Sequence, residues 1–316
     1  MPEINIYAYP LGEDSKIICS HIASEINDIK WCFSYSDNIN KELLNCDLLI
    51  LIANLNYPSE LRQVIWIMRA AEQSAIPIVV CTITPILLLR WGKMSYHRSP
   101  AYKDDREIGT LESYFHQVLS KTAVIQLESG LSYSYCEDYD VHDFYKNIKH
   151  VSTLFRDKKS IKKTPQKFDI KSIKVDQKNI ARTPLVRHYS AKGFKPICID
   201  FLLKIKAIVG PITRQELIGV DFADYDLAFA NKGLYQTVIY TQEALSNARV
   251  NNGYWFKANV IIATIFLNSE SALDRFSTIS KLISNMLKVS EALLLIAPVI
   301  DECAQDEPII SIIYKL

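Results

Sequence analysis

Glycine is scarce in this sequence, with nine among 316 residues, where an average chain carries roughly 7%. A protein that holds nucleotide phosphates with its backbone needs glycines in a cluster, so the scarcity weighs against such a site. Paired cysteines are missing too. The seven cysteines (Cys19, Cys32, Cys46, Cys81, Cys136, Cys198 and Cys303) are an odd number and form no C-x-x-C pair. That pattern argues against a disulfide framework or a zinc site and for a reducing compartment. Apolar runs such as Leu48 to Ala53 and Ala292 to Ile300 fall far short of a membrane span. The chain opens without a basic-then-apolar leader, so the expected address is the cytoplasm. The six histidines have no metal-ligand spacing and Gly-x-Ser-x-Gly is absent, so no metal site and no hydrolase triad is expected.

What the chain does have is apolar bulk: 49% hydrophobic residues, 22% charged, and a formal net charge of +1. Such a chain is globular and long enough for two domains, and it has no global attraction to nucleic acid or membrane. Its charge is unevenly placed. Residues 156–192 hold twelve Lys or Arg against three Asp, a net of +9 that leaves the rest at −8. With two prolines (Pro165 and Pro184) and few large apolar residues, this stretch reads as an exposed, partly flexible insertion. It has only Phe168 and Tyr189 as aromatics, which excludes a single-strand nucleic-acid platform. An acidic protein surface or anionic lipid is the partner it would suit.

The first half alternates strands with helices: strands at 4–9, 47–53, 77–82 and 123–127, helices at 15–26, 59–74 and 107–120. Continuous apolar strands in βαβα order imply a parallel sheet covered on both faces. Trp66 and Met68, on the second of these helices, read as core. A long apolar helix follows at 194–209, then a strand at 255–267 and a helix at 271–288. That helix sets Leu273, Phe276, Ile279, Leu282, Ile283 and Met286 on one face. Strands at 293–300 and 309–314 close the chain. The expected organisation is therefore a nucleotide-type α/β domain (1–135), the basic insertion (136–192), a central helix (193–216) and an α+β domain (217–316).

The sharpest motif lies at Ile212-Thr-Arg followed by Gly219-Val-Asp-Phe-Ala-Asp224. Read without context, Asp221 and Asp224 are capping and turn residues. As a segment it closely resembles the Ile-Thr-Arg and Asn-Val-Asp-Phe-Ala-Asp of FtsZ, the tubulin-like bacterial division protein, whose loop reaches into a neighbouring subunit and promotes GTP hydrolysis there. Asp47 to Ala53, Val79-Val-Cys-Thr-Ile-Thr-Pro85 and the ending from Pro298 to Pro308 resemble the family's strand before its phosphate loop, its next strand and its closing hairpin. The resemblance covers most of the chain outside the insertion, and implies a tubulin/FtsZ-like α/β fold. It also implies that Gly219, Val220, Asp221, Phe222 and Asp224 form an interface, with Asp221 and Asp224 acting catalytically only in trans.

The departures are concentrated in one place. Where the family has GGGTGTG, this chain reads Asn54-Leu-Asn-Tyr-Pro-Ser-Glu-Leu-Arg62, with no glycine. Pro58 has no N–H to offer an anion and Tyr57 fills space that a bare backbone should leave open. Glu60 adds a like charge, worth roughly 4 kcal/mol at about 4 Å and an effective dielectric near 20. The earlier turn, Pro10-Leu-Gly-Glu-Asp14, keeps one glycine and adds two carboxylates. Phe194 matches the family's stacking aromatic, but Ile199 stands where an Asp should hold guanine and Asp200 comes one position late.

These residues imply a pseudo-GTPase, with no cofactor, that docks through its Asp221/Asp224 loop on FtsZ or on itself and modulates or caps filaments. The family's flexible tail, which binds membrane anchors, is missing after the last strand, so recruitment by those anchors is expected to fail. The competing expectations are an active GTPase with a rebuilt loop, a scaffold that assembles without nucleotide, and an unrelated Rossmann-like enzyme domain.

Overall fold

The architecture follows from runs of Leu, Ile and Val that have nowhere to go but a sheet interior. In a computed structural model of the chain, which describes residues 4–34, 43–55, 57–83, 105–127, 180–213, 222–248, 254–269, 272–289, 291–305 and 307–315, nine strands form one sheet in the order β2-β1-β3-β4-β5-β6-β9-β7-β8. The first five are β1 (Ile6–Pro10), β2 (Ile29–Trp31), β3 (Leu48–Ala53), β4 (Ile78–Thr82) and β5 (Ala123–Gln126). All their pairings are parallel. The β3 run Leu-Leu-Ile-Leu-Ile-Ala is buried throughout, as a parallel strand covered on both faces must be.

Three helices of this half follow the apolar periodicity: α1 (Gly12–Ile22), α2 (Pro58–Gln73) and α3 (Asp105–Lys121). Helix α2 starts at Pro58 because proline at the first helical position loses no intrahelical bond. Alternate residues of β3 divide between two cores. Ile50 and Ile52 meet Ile18, Cys19 and the central helix, whereas Leu49 and Leu51 meet Leu61, Val64 and Met68 of α2. Trp66, expected in the core, instead lies on the outer side of α2, 47% exposed.

Helix α4 (Pro184–Ala191) corrects the expectation of an exposed insertion at the end of the stretch 156–192. At its end Ile180, Leu185, Val186 and Tyr189 are buried in the main core; Arg156 to Lys178 lie among the residues not described. The central helix α5 runs Pro196–Thr213, past Pro211, within the expected 193–216 and four residues beyond the apolar run that ends at Val209. Gly210 matters to its seat: a Cβ there would come within 2.9 Å of Val299 Cγ2, so only glycine lets helix and strand approach this closely.

Beyond α5 come α6 (Phe222–Ala230), β6 (Gly233–Thr241), α7 (Gln242–Ala248), β7 (Val260–Leu267), α8 (Ala272–Met286), β8 (Leu293–Ile300) and β9 (Ile309–Lys315). Trp255–Lys257, read as the start of a strand, belong to the 3-10 turn Tyr254–Lys257. The closing strands do not form the expected hairpin. β9 lies between β6 and β7, antiparallel to both, and β8 pairs with β7 in parallel. β6 joins the halves, parallel to β5 and antiparallel to β9. No described helix is long and apolar enough to cross a membrane.

Candidate functional site

In an α/β sheet ligands bind at the carboxyl ends of the strands, and the residues predicted for the nucleotide pocket gather there. Backbone bonds carry the sheet to that edge: Leu11 N–H donates to Ile52 O (2.7 Å), Ile83 N–H to Ala53 O (3.0 Å) and Leu127 N–H to Thr82 O (2.9 Å). The β1 end turns into α1 at Gly12, which has φ +79°. The β3 end turns into α2 through Asn54, whose carbonyl accepts from Tyr57 N–H at 3.0 Å.

Glu60, in the first turn of α2, points back into this corner. Its Oε2 accepts from Asn54 N–H at 2.7 Å, and the side chain is 6% exposed. A Cβ on Gly12 would overlap its Oε1. The lone glycine left in the first turn thus makes room for a carboxyl group of this same chain. The position is hostile to charge: burial, opposed by the Asn54 N–H and reinforced by Asp14, raises the Glu60 pKa from 4.5 to about 7. Asp14 is itself buried in the first turn of α1.

The base end is occupied as well. Phe194 sets its ring edge-on to Tyr189, centroids 5.9 Å apart. Asp200 is fully buried and accepts from Lys204 Nζ at 3.1 Å, one turn along α5. Lys204 also donates to Leu127 O, at the end of β5. Two residues on, Lys206 Nζ meets Tyr189 OH at 2.5 Å and Asp301 Oδ2 at 3.2 Å. These buried lysines escaped the sequence reading. The available signal was two cations inside an apolar helix, which demands buried partners. Burial also pushes the Cys81 and Cys198 thiols up, away from the reactive thiolate.

Of the predicted interface, the described residues Phe222 and Asp224 lie at the opposite, amino end of the strands. Gly219, Val220 and Asp221 fall outside the described residues. Phe222 opens α6 half-buried, and Asp224 is exposed in its first turn. Tyr225 anchors this helix, its hydroxyl donating to Ala207 O of α5 at 3.2 Å. The outer side of α6 presents Asp224, Asp226 and Leu227, the last 58% exposed. Beside it a cavity of about 200 Å³ runs between Phe222, Tyr225 and Phe229 and the strand beginnings Leu48 and Ile78. Its rim carries the Lys121–Glu72 ion pair at 2.8 Å.

No protein-family model matches the sequence, and a comparison with curated proteins finds no match. Solved structures do match in fold. An empty FtsZ dimer of M. jannaschii superposes with a TM-score of 0.62 at 12% identity, over 98% of this chain and 88% of that one. A single-substitution mutant of the same FtsZ gives 0.62 at 11% identity, over 99% and 91%. The GDP-form protofilament structure of TubZ from Bacillus thuringiensis serovar israelensis gives 0.51 at 9% identity, over 99% and 85%. The fold is FtsZ/tubulin-like.

Proposed function

We propose that this chain is an FtsZ-like pseudo-GTPase. It docks through its Asp221/Asp224 segment on FtsZ or on a second copy of itself, and so caps or modulates filaments in cell division. The observation that carries this reading is the seat of Glu60. Raising a carboxyl from 4.5 to about 7 means that one buried negative charge there costs about 3 kcal/mol. Micromolar binding totals only about 8 kcal/mol. A nucleotide would have to displace Glu60 and then place several charges where one is already penalised. Phe194 and Asp200, the residues that would receive a base, are engaged with Tyr189 and Lys204.

The docking half of the proposal rests on the Asp221/Asp224 motif, on the exposed acidic and apolar side of α6, and on folds crystallised as a dimer and as protofilaments. The basic stretch 156–192 adds a second contact, to an acidic partner or anionic lipid. The protein works in the cytoplasm. Mixing the purified chain with FtsZ from the same cell tests the proposal: pelleted FtsZ or its GTP turnover changes, and Asp224→Ala removes the change. No effect of the unmodified chain on either quantity contradicts docking on FtsZ. Light scattering of the chain alone then tests self-association.

A further inference from the structure

The corner occupied by Glu60 holds one feature that loss of nucleotide binding does not explain: the carboxyl is seated with a single hydrogen bond. Among the described residues its hydrogen bond is the one from Asn54 N–H, although an ionised carboxylate offers about four acceptor positions. No described cation forms an ion pair with it. A buried ionised carboxylate with one neutral donor is poorly compensated, whereas a protonated one replaces the buried charge with a single O–H donor.

The surroundings reinforce this. From α1, Asp14 faces Glu60 and opposes its charge, and the neighbouring Glu13 is exposed. The ends of β1 and β3 contribute Pro10, Leu11, Gly12, Asn54 and Leu55, none of which titrates. On its own helix Ser59, one position before, and Arg62, two positions after, are exposed, whereas Leu61 between Glu60 and Arg62 is buried. The positive ends of α1 and α2 favour the anion, yet its pKa is still raised to about 7. Burial outweighs them.

We infer that Glu60 is a proton-held plug: protonated, it sits between Gly12 and the Asn54 N–H, and on losing the proton it swings out and opens this end of the sheet. The device stands on this seat alone. Its test uses neither nucleotide nor partner, so it fails or survives separately from the docking reading.

The test compares the unmodified chain, Glu60→Gln and Asp14→Asn between pH 5.5 and 8.5. Backbone amide NMR follows Gly12 and Asn54, and hydrogen exchange, corrected for its intrinsic pH dependence, follows Asn54 and Leu61. In the unmodified chain the two amide shifts titrate together near pH 7. Protection falls about tenfold from pH 6 to pH 8, as the ionised fraction rises about tenfold. Glu60→Gln, which keeps the acceptor and cannot ionise, shows no such titration and less than about a twofold change. Asp14→Asn, which removes one opposing charge, moves the midpoint to lower pH. A profile shared by the unmodified chain and Glu60→Gln overturns the proposal, as does a midpoint that Asp14→Asn leaves in place.

Discussion

The two ends of the N-terminal half of the sheet have taken opposite courses. At the carboxyl end three described groups that would meet a ligand are turned inward: Glu60 on Asn54, Phe194 on Tyr189, Asp200 on Lys204. At the amino end α6 is anchored from beneath by Tyr225, and its Asp224, Asp226 and Leu227 face outward beside a cavity. On the proposed reading, closing one end while keeping the other exposed separates two properties that a filament-forming GTPase couples. The chemistry of closure is internal substitution, with the protein's own acid and aromatic groups satisfied by the protein's own partners.

The comparison breaks most easily at the closed end. Asp200→Ala leaves Lys204 buried without its carboxylate, and unfolding in urea should report a loss of about 3–5 kcal/mol. Replacing both residues together by Leu and Met should recover most of that loss, because a buried pair is worth little against well-packed apolar groups. If the pair instead serves a ligand, the double replacement recovers nothing in its presence.

Glu60→Gln comes next, with a pH signature. Unfolded, the acid titrates near 4.5, and folded near 7. Below pH 4.5 both states carry the proton and the substitution is close to neutral. Between the two values the folded state binds more protons, so stability of the unmodified chain falls as pH rises. Above pH 7 the difference is constant. Glu60→Gln should therefore be the more stable protein at pH 8, by up to about 3 kcal/mol, and should show no advantage at pH 4.5. Equal stability curves across that range would remove the penalty on which the closed end rests.

Gly12→Ala should cost about 1–2 kcal/mol, from a left-handed backbone and an overlap with Glu60 Oε1. In a Glu60→Ala background the overlap is gone and only the backbone cost remains, so the two substitutions are non-additive in thermal denaturation. At the open end the expected effect on folding is smallest. Asp224→Ala removes one acid from the first turn of α6 and should change stability by less than about 1 kcal/mol, while abolishing the change in FtsZ sedimentation. A large loss of stability there would make Asp224 a structural residue and not a docking one.

The sequence carried the parallel half of the fold because Leu48–Ala53 and Ile78–Thr82 are apolar runs with no other destination. It did not carry β6, whose Gly-Leu-Tyr-Gln-Thr-Val mixes small, polar and apolar residues, nor the insertion of β9 between β6 and β7, since order in a sheet is not written in order along a chain. Helix α4 was hidden because the charge of residues 156–192 is a sum, and Leu185, Val186 and Tyr189 do not alter a sum. Trp66 sits at core spacing but on the solvent side of α2. At the site, the loss of glycines was legible and Glu60 was recognised as a charge. What sequence could not supply was its contact with Gly12, 48 positions earlier, which turns a misplaced acid into the occupant of the corner. The Asp14 seat and the two buried lysines of α5 likewise depend on partners far away in the chain.

The central claim is that the carboxyl end of this sheet is closed to nucleotide by the chain's own side chains. Calorimetric titration of the full chain with GTP and magnesium at pH 6, where Glu60 keeps its proton and its seat, tests it most directly. The account predicts no heat of binding at nucleotide concentrations into the high micromolar range. A saturating isotherm with micromolar affinity would contradict it and make the chain an FtsZ-like nucleotide-binding protein with a rebuilt loop.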